Sequence, residues 1–151
     1  MRVSFAVLAL AVVAAACTPP AQRPEDAPGA QAGADDEQND PLARALTPVV
    51  AADLGRPIKF TVETSRTDGE WGWIVAHPWT PEGAAIDWSQ TNYAQRAGAG
   101  MLDGGGTTFA LMRQENGAWR VVEFVVGPTD AAWVEWPQRH GAPQSLVVEA
   151  E

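Results

Sequence analysis

Few side chains in this sequence could carry out chemistry. His77 and His140 are the only histidines, and Cys17 is the only cysteine. The sequence contains neither the Gly-x-Ser-x-Gly motif of a nucleophilic serine nor the His-Glu-x-x-His motif of a zinc protease. Glu135 and His140 are five residues apart, so a helix would not place them on one face to bind a metal ion. We therefore predict no catalytic residue, no metal site and no cofactor.

Three aspartates keep a catalytic alternative open. Two suitably spaced carboxylates can hydrolyse a glycosidic bond, and Asp87, Asp103 or Asp130 could supply such a pair. Asp87 and Asp130 also begin segments that could form short helices, where a carboxylate accepts hydrogen bonds from backbone N–H groups. Helix capping is the interpretation that we favour, because most acidic residues serve the surface or the fold.

Aromatic residues are concentrated in the later part of the sequence, where all seven tryptophans lie between Trp71 and Trp136. They could form the core of a small domain, which is the interpretation that we favour. Some could instead surround a groove that binds a peptide, a glycan or a lipid, because aromatic rings bind apolar surfaces. The groove hypothesis names as ligand-binding residues Trp79, Trp88, Tyr93, Asp103, Asp130, Trp133 and Trp136.

The segment from Pro78 to Gly106 is long for a connection inside a compact domain, and such segments are usually functional or disordered. Its aromatic residues argue against disorder. Its glycine-rich end is a poor phosphate-binding loop, because Asp103 stands where the dinucleotide fingerprint requires a glycine and no Lys-Ser or Lys-Thr follows. We expect this end to be a flexible return to the next strand.

An amphipathic helix is predicted at the start of the folded region. Between Asp40-Pro41, a cap and first-turn pattern, and Gly55, a helix stop, a leucine or valine recurs every four residues. Thr47-Pro48 lies inside this repeat. The helix should therefore be kinked at Pro48, or split into two pieces of which Thr47 caps the second.

Two β-hairpins are predicted after the helix. The first has alternating apolar and polar residues from Ile58 to Glu63, a turn at Asp68-Gly69, and a return strand that starts at Trp71 and ends before Pro78. The second consists of a strand at residues 107–114, a turn at 115–117 and a strand at 118–126. Because both sides of the last strand are apolar, we expect it to be central in the sheet.

These elements predict an α+β domain, in which the N-terminal helix packs on a four-stranded antiparallel sheet and a long insertion separates the hairpins. Residues 87–96 or a C-terminal turn should cover the other face. Trp133 and Trp136 would share one side of a short C-terminal helix that Pro137 ends or distorts. The order of elements is similar to that of cystatin and NTF2-like proteins, an analogy of fold that assigns no function.

Composition separates a linker from the folded region. Residues 17–40 contain Pro, Ala, Gln, Gly and acids but no large apolar residue, so we predict a disordered linker. Its acidic cluster at 35–40 lacks the alternating ligands and central glycine of an EF-hand loop, so we interpret it as solvated. Residues 41–151 form one domain. This domain has thirteen Asp and Glu against eight Lys and Arg and no basic stripe, which argues against nucleic acid as a partner.

The start of the sequence indicates export. Residues 3–16 are almost all apolar, too few to cross a bilayer as a helix but typical of a signal peptide at residues 1–16. Ala14-Ala15-Ala16-Cys17 resembles the lipobox of bacterial prolipoproteins. The resemblance implies that Cys17 carries the lipid that anchors the chain. Because Thr18 replaces the aspartate of the inner-membrane retention signal, it also implies placement at the periplasmic face of the outer membrane in a Gram-negative host. Because Ala14 replaces the usual leucine, ordinary cleavage that leaves Cys17 unmodified is the alternative.

Four blocks of the folded region resemble a group of bacterial envelope proteins without an established activity, so they imply no catalytic residue. They are residues 87–93, 103–105, 117–122 and 127–137. The leader and the aromatic content favour a noncatalytic binding or accessory module, held at the membrane by lipid, that contacts an envelope protein, a peptide or a glycan. A small envelope hydrolase that uses the aspartates near residues 78–106 and a purely structural envelope component are the alternatives.

Overall fold

The structure, a computed structural model, describes residues 39–103 and 105–147. They form an α+β domain in which helices pack on a four-stranded antiparallel sheet, as the sequence predicts. The strand order is β1-β2-β3-β4, so each strand pairs with its neighbour in the sequence. The main elements are helix α1 (Pro41–Leu54), strands β1 (Lys59–Asp68), β2 (Trp71–Trp79), β3 (Thr108–Glu115) and β4 (Ala118–Val126), and the short helices α2 (Ala94–Gly98) and α3 (Trp136–His140).

The predicted leader, Cys17 and the linker as far as residue 38 lie outside the described residues. Among the residues that are described, no helix has the length and apolar character needed to cross a bilayer.

Helix α1 begins and ends at residues whose chemistry favours a helix end. The Asp40 carboxylate accepts hydrogen bonds from two N–H groups of the first turn at 2.8 and 2.9 Å, and Gly55 follows the helix with a left-handed φ of 76°. The helix is not split at Pro48. It is continuous over its 14 residues, which include Pro48. Pro48 is exposed, so water can bond the carbonyl that loses its N–H partner. Thr47 does not cap a second piece, because its hydroxyl donates to the Ala43 carbonyl at 2.7 Å.

Two tight turns set the registers of the hairpins. Asn116 and Gly117 connect β3 and β4 with φ values of 51° and 78°, which a type I′ turn requires. Gly69, at a φ of 60°, begins the two-residue turn of the first hairpin, where Asp68 pairs with Trp71. Both turns allow close antiparallel pairing because residues with positive φ match the twist of the strands.

Strand β2 continues through Pro78, although the sequence indicated that it ends before this residue. Pro78 pairs with Phe60 of β1. β3 pairs with β2 only as far as Ala76 and Thr108, so Pro78 lies where β2 has a strand neighbour on one side alone. A proline is tolerated there because its missing N–H is not needed by a second ladder.

The prediction that residues 118–126 form a central strand is wrong. β4 lies at an edge of the sheet, and β2 and β3 are the central strands. Its two apolar sides have another cause: Val121 and Phe124 pack with the α1 cluster, whereas Val122 and Val125 pack with the cluster on the opposite face. Val122 is the extra residue of a β-bulge, which shifts the alternation so that Phe124 shares the face of Val121 and Val125 shares the face of Val122.

The two faces of the sheet are covered by different parts of the chain. Helix α1 covers the first face, where a large apolar cluster includes Leu42, Leu46 and Ile74. Residues 132–147 cover the second face, so the C-terminal turn takes this role. The buried residues of the second face are Trp71, Trp73, Val75, Leu111, Trp136 and Leu146.

Pro137 lies in the first turn of helix α3, contrary to the prediction that it ends or distorts a turn. A 3-10 helix at Ala132–Glu135 leads directly into α3, and Pro137 stands in the first turn of α3. Its missing N–H would have no helical partner in that position. Gly141 ends α3 with a φ of 77°.

The insertion between β2 and β3, residues 80–107, packs at the border of the first face. Trp88 and Tyr93 contact the α1 cluster, and the Tyr93 hydroxyl donates to the Asp53 carboxylate at 2.6 Å. Burial of the phenol, together with this hydrogen bond, raises the pKa of Tyr93 to about 12. Gly106 returns the chain beneath Trp88 with a φ of 65°, where a Cβ atom would lie 2.1 Å from the indole.

Candidate functional site

A cleft opens on the second face of the sheet. Its volume of about 360 Å³ lies within the range of small-ligand sites, roughly 300 to 1,000 Å³. Strands β2 and β3 supply an apolar floor, β1 supplies a polar wall, and the C-terminal segment supplies the opposite wall. We call it the aromatic cleft, and it is lined by Glu63, Thr64, Arg66, Trp73, Val75, Thr107, Phe109, Trp133 and Val147.

The rings around the aromatic cleft hold one another in place. Trp133 stacks on Phe109, with ring centroids 3.8 Å apart and an angle of 6° between the planes. Trp73 lies 6.1 Å from Phe109 and meets Trp136 edge-on at 6.0 Å and 70°. Trp136 is 2% exposed, so it supports the other rings and cannot itself contact a ligand. Because these rings are already packed, an apolar group can bind here with little further ordering of side chains.

A chain of polar side chains lies at the Thr107 end of the aromatic cleft. The Glu63 carboxylate is 2.8 Å from His77 Nε2. The Thr107 hydroxyl is 3.4 Å from His77 Nδ1 and donates to the Asp103 carboxylate at 3.1 Å. We call these four residues the polar chain. It joins β1, β2 and the end of the insertion beside the cleft.

Thr107 has only one hydroxyl proton, which it donates to the Asp103 carboxylate, so its oxygen is the atom that faces His77 Nδ1. The 3.4 Å separation of Thr107 and His77 is longer than the usual contact between a nucleophile and its base.

The aromatic residues predicted to form one groove are divided between two faces. Trp133 lines the aromatic cleft and Trp136 is buried behind its rings. Trp88 and Tyr93 pack with the cluster of the first face. Trp79, which is 36% exposed, shares with Trp88 a smaller cleft of about 240 Å³. The structure therefore does not bring these residues together in a single aromatic rim.

Asp87 is a helix cap, as the favoured interpretation predicts. Its carboxylate accepts hydrogen bonds from the N–H and the hydroxyl of Ser89, at 3.1 and 2.6 Å, at the start of the 3-10 helix Trp88–Gln90. Asp103 has a different partner, the Thr107 hydroxyl of the polar chain. The two carboxylates thus contact different parts of the insertion.

Asp130 does not cap a helix, so that prediction is wrong. The 3-10 helix begins at Ala132, one residue too late for Asp130, and Ala131 occupies the cap position without a side-chain hydrogen bond. Asp130 lies instead beside a shallow depression near Glu135 and Arg139. Because the chain turns one residue later than the sequence indicated, this carboxylate does not point at the free N–H groups of the helix.

The second histidine has a structural contact. His140 Nε2 lies 2.6 Å from the Glu123 carboxylate, which also accepts hydrogen bonds from Arg139 at 2.8 and 3.1 Å. Glu123 belongs to β4, and its two partners belong to the last turn of α3. This carboxylate therefore attaches the C-terminal segment to the sheet.

Sequence reasoning missed most of the aromatic cleft. Only Trp133 of the predicted ligand-binding residues lines it, and Asp103 contacts it through Thr107. The polar wall depends on a β-bulge between Val62 and Thr64 that changes the alternation along β1. The sequence contains no clear signal for that bulge.

No group of three or more His, Cys, Asp or Glu side chains within residues 39–103 and 105–147 is arranged to hold a metal ion. The chain matches no family model, no curated protein and no solved structure.

Proposed function

We propose that this protein is a noncatalytic binding module of the bacterial cell envelope, and that its ligand binds in the aromatic cleft. The observation that carries this proposal is the packed ring system of Trp73, Phe109 and Trp133 beside a wall of polar side chains. Rings give contact area at low entropic cost, and Glu63 and Arg66 on the wall can orient a polar group.

The same proposal includes a membrane anchor. Lipid on Cys17 is supported by the resemblance of residues 14–17 to a lipobox, and the mature chain would then lie at the periplasmic face of the outer membrane. Burying an acyl chain contributes about 0.8 kcal/mol per methylene, so two or three chains give a stable anchor. Residues 18–40 have six acids and one arginine, so this linker would be extended by its own charge.

The noncatalytic interpretation is supported by the surroundings of the candidate acids. Asp87 caps a 3-10 helix, Asp103 bonds to Thr107, and Asp130 lines a depression on the C-terminal segment. A hydrolase that uses two carboxylates needs both beside one scissile bond. The resemblance to bacterial envelope proteins belongs to this proposal as well, whereas the analogy with cystatin and NTF2-like folds concerns the fold and assigns no function.

Affinity capture from detergent-solubilised envelopes tests the binding role. Full-length lipidated protein should retain an envelope component that Trp133→Ala does not retain, because the substitution removes one wall of the aromatic cleft. Val134→Ala is the matched control, since Val134 is 45% exposed and does not line the cleft. Equal retention by both variants would contradict binding in the aromatic cleft. No retention by any form would favour the structural alternative, and turnover that Asp103→Asn abolishes would favour the hydrolase.

Metabolic labelling with palmitate tests the anchor. The wild type should incorporate label and Cys17→Ser should not, because the thioether needs the sulfur atom. Ser4→Ala, a change in the leader that spares the lipobox, is the control and should remain labelled. Label that persists in Cys17→Ser would exclude this cysteine as the attachment site.

A further inference from the structure

A cleft of about 370 Å³ lies between helix α1 and the start of strand β1, apart from the aromatic cleft. We call it the helix cleft, and it is lined by Ala43, Arg44, Thr47, Pro48, Ile58, Lys59 and Phe60. Its floor is apolar, because Ala43, Ile58 and Phe60 belong to the apolar cluster of the first face. The Thr47 hydroxyl adds no free donor, since it donates to the Ala43 carbonyl.

Both charged side chains that line the helix cleft are cations, Arg44 on α1 and Lys59 on β1. Within residues 39–103 and 105–147, neither cation forms an ion pair. By contrast, Arg113 and Arg139 each lie 2.8 Å from a carboxylate oxygen. The helix cleft therefore combines an apolar floor with two cations that have no acidic partner in the described part of the chain.

Arg56 is a third cation in this region. The pKa of Glu82 is lowered by hydrogen bonds from its own backbone and from Thr80, and further by the charges of Arg56 and Lys59, which therefore lie near one another. Glu82 itself is exposed and does not line the helix cleft. A single exposed carboxylate cannot neutralise three cations, so the helix cleft favours an anionic partner, although the whole chain has a formal net charge of −9.

We propose that the helix cleft binds the acidic segment of this chain that precedes α1, Asp35-Asp36-Glu37. The segment ends three residues before Asp40, and Arg44 follows Asp40 by four residues. Three to five residues of extended chain span roughly 10 to 18 Å, whereas four residues rise only about 6 Å along a helix. The segment is therefore long enough to fold back to Arg44 and to Lys59, which lines the same cleft.

Charge and covalent connection both favour this segment over other anions. Residues 18–40 have six acids and one arginine, which complement the cations of the helix cleft. A short connection also gives the segment an effective concentration on the order of millimolar, which a dilute partner does not reach. The sequence pattern by itself favours a solvated acidic cluster, and the cations of the helix cleft are the observation that favours a bound one.

Binding of the acidic segment has a consequence for the linker. It would close the helix cleft to other anions and leave residues 18–34 as the free part of the linker. The helix cleft belongs to the first face, so this role is independent of the ligand of the aromatic cleft.

Chemical crosslinking tests this inference, because Lys59 is the only lysine of the chain. A carbodiimide joins an amine to a carboxylate in direct contact, as an amide that mass spectrometry locates. In the mature protein, we expect Lys59 to be joined to Asp35, Asp36 or Glu37. Added salt should lower the yield of this crosslink, because salt screens exposed charges.

Two charge-reversal variants locate the bound segment. Arg44→Glu should lower the yield of the crosslink about fivefold or more, because it repels the acidic segment. A glutamate is favourable in the first turn of a helix, so α1 should still form. Arg120→Glu changes the net charge equally and is the control, since Arg120 is exposed on β4 and lines neither cleft. It should leave the yield unchanged.

The outcomes separate this inference from the proposed function. A crosslink from Lys59 to Glu82 alone, or equal yields in the two variants, would overturn binding of the acidic segment in the helix cleft. A crosslink that joins isotope-labelled to unlabelled chains in a mixture would overturn binding within one chain and make a second copy the source of the segment. Capture of an envelope component through Trp133 is measured separately, and neither result changes it.

Discussion

The two faces of the sheet differ in the elements and the side chains that cover them. On the first face, the side chains of Leu42, Leu46, Val50 and Leu54 in α1 are all 0% exposed. On the second face, short helical turns cover the sheet with large rings and leave the aromatic cleft open beside β1. A regular helix fills its face with one repeated pattern, whereas short turns with a few large rings cover a face unevenly.

This difference suggests that the two faces have different roles, one in stability and the other in binding. The helix residues that face the sheet are fully buried, so this face should contribute most of the stability. Stacked rings over a polar wall leave room for a ligand and supply contact area that is already ordered. Stability should therefore depend more on the first face, and binding more on the second.

The largest effect is expected from Leu46→Ala on the first face. Leu46 is 0% exposed, so the substitution leaves a cavity and should lower the free energy of unfolding by about 3 to 5 kcal/mol. Chemical denaturation measures this change. Val49→Ala is the control on the same helix, because Val49 is 38% exposed and should change stability by less than about 1 kcal/mol. Similar losses of unfolding free energy in the two variants would contradict the close packing of Leu46 on the first face.

Trp133→Ala, on the second face, should lower the free energy of unfolding less than Leu46→Ala does, and it should weaken ligand binding more. Trp133 is only partly buried and stacks on one side of Phe109, so we expect a loss of about 1 to 2 kcal/mol, below the value for a fully buried tryptophan. The same denaturation experiment measures it beside Val134→Ala. If Trp133→Ala destabilised the chain as strongly as Leu46→Ala, the proposed division between the faces would fail.

Glu123→Gln tests whether Glu123 attaches the C-terminal segment to the second face of the sheet. The change removes the charge that holds Arg139 and His140, and we expect a loss of about 1 kcal/mol because these groups are partly solvated. Glu70→Gln removes a more exposed pair with Arg113 and should cost less than about 0.5 kcal/mol. Thermal unfolding of both variants ranks the two pairs. A reversed order would show that Glu123 does not hold the C-terminal segment.

The smallest effect is confined to high pH, at the border of the first face. Tyr93 is the only tyrosine, so an ultraviolet absorbance titration reports its pKa of about 12 directly. The folded pKa lies above the unfolded value of 10.0. The contribution of Tyr93 to stability is therefore complete below the unfolded pKa and is lost as pH rises through the folded pKa.

Asp53→Asn distinguishes the two causes of this raised pKa. Loss of the carboxylate charge should lower the pKa of Tyr93 toward its ordinary value, while burial of the phenol keeps it from reaching that value. Asp68→Asn, on the exposed end of β1, is the control. An unchanged pKa in Asp53→Asn would mean that burial alone raises it.

Local signals in the sequence were sufficient for several elements. Asp40 and Gly55 mark the two ends of helix α1, and Asn116-Gly117 forms the turn of the second hairpin. Each of these depends on a side chain or a φ angle within a few residues of its effect. The α+β class and the four-stranded antiparallel sheet were predicted for the same reason, because hairpins bring sequence neighbours together.

Features that depend on distant contacts were predicted less well. The apolar sides of β4 indicated a central strand, yet the strand lies at an edge. Its two sides are apolar because α1 covers one and the C-terminal segment covers the other. The concentration of aromatic residues was evident from the sequence. Their division between two faces depends on where the insertion and the C-terminal segment pack. The export and lipid predictions concern residues outside the described part of the chain and stay predictions.

The sequence by itself determined where the helix and the hairpin turns form, because capping, glycine φ angles and alternation act over a few residues. Tertiary structure alone decided which face each tryptophan covers and where the sheet ends. It also decided that Glu63, His77, Thr107 and Asp103 form one chain. These contacts join residues that are up to 30 positions apart, and only the packing of the elements brings them within hydrogen-bonding distance.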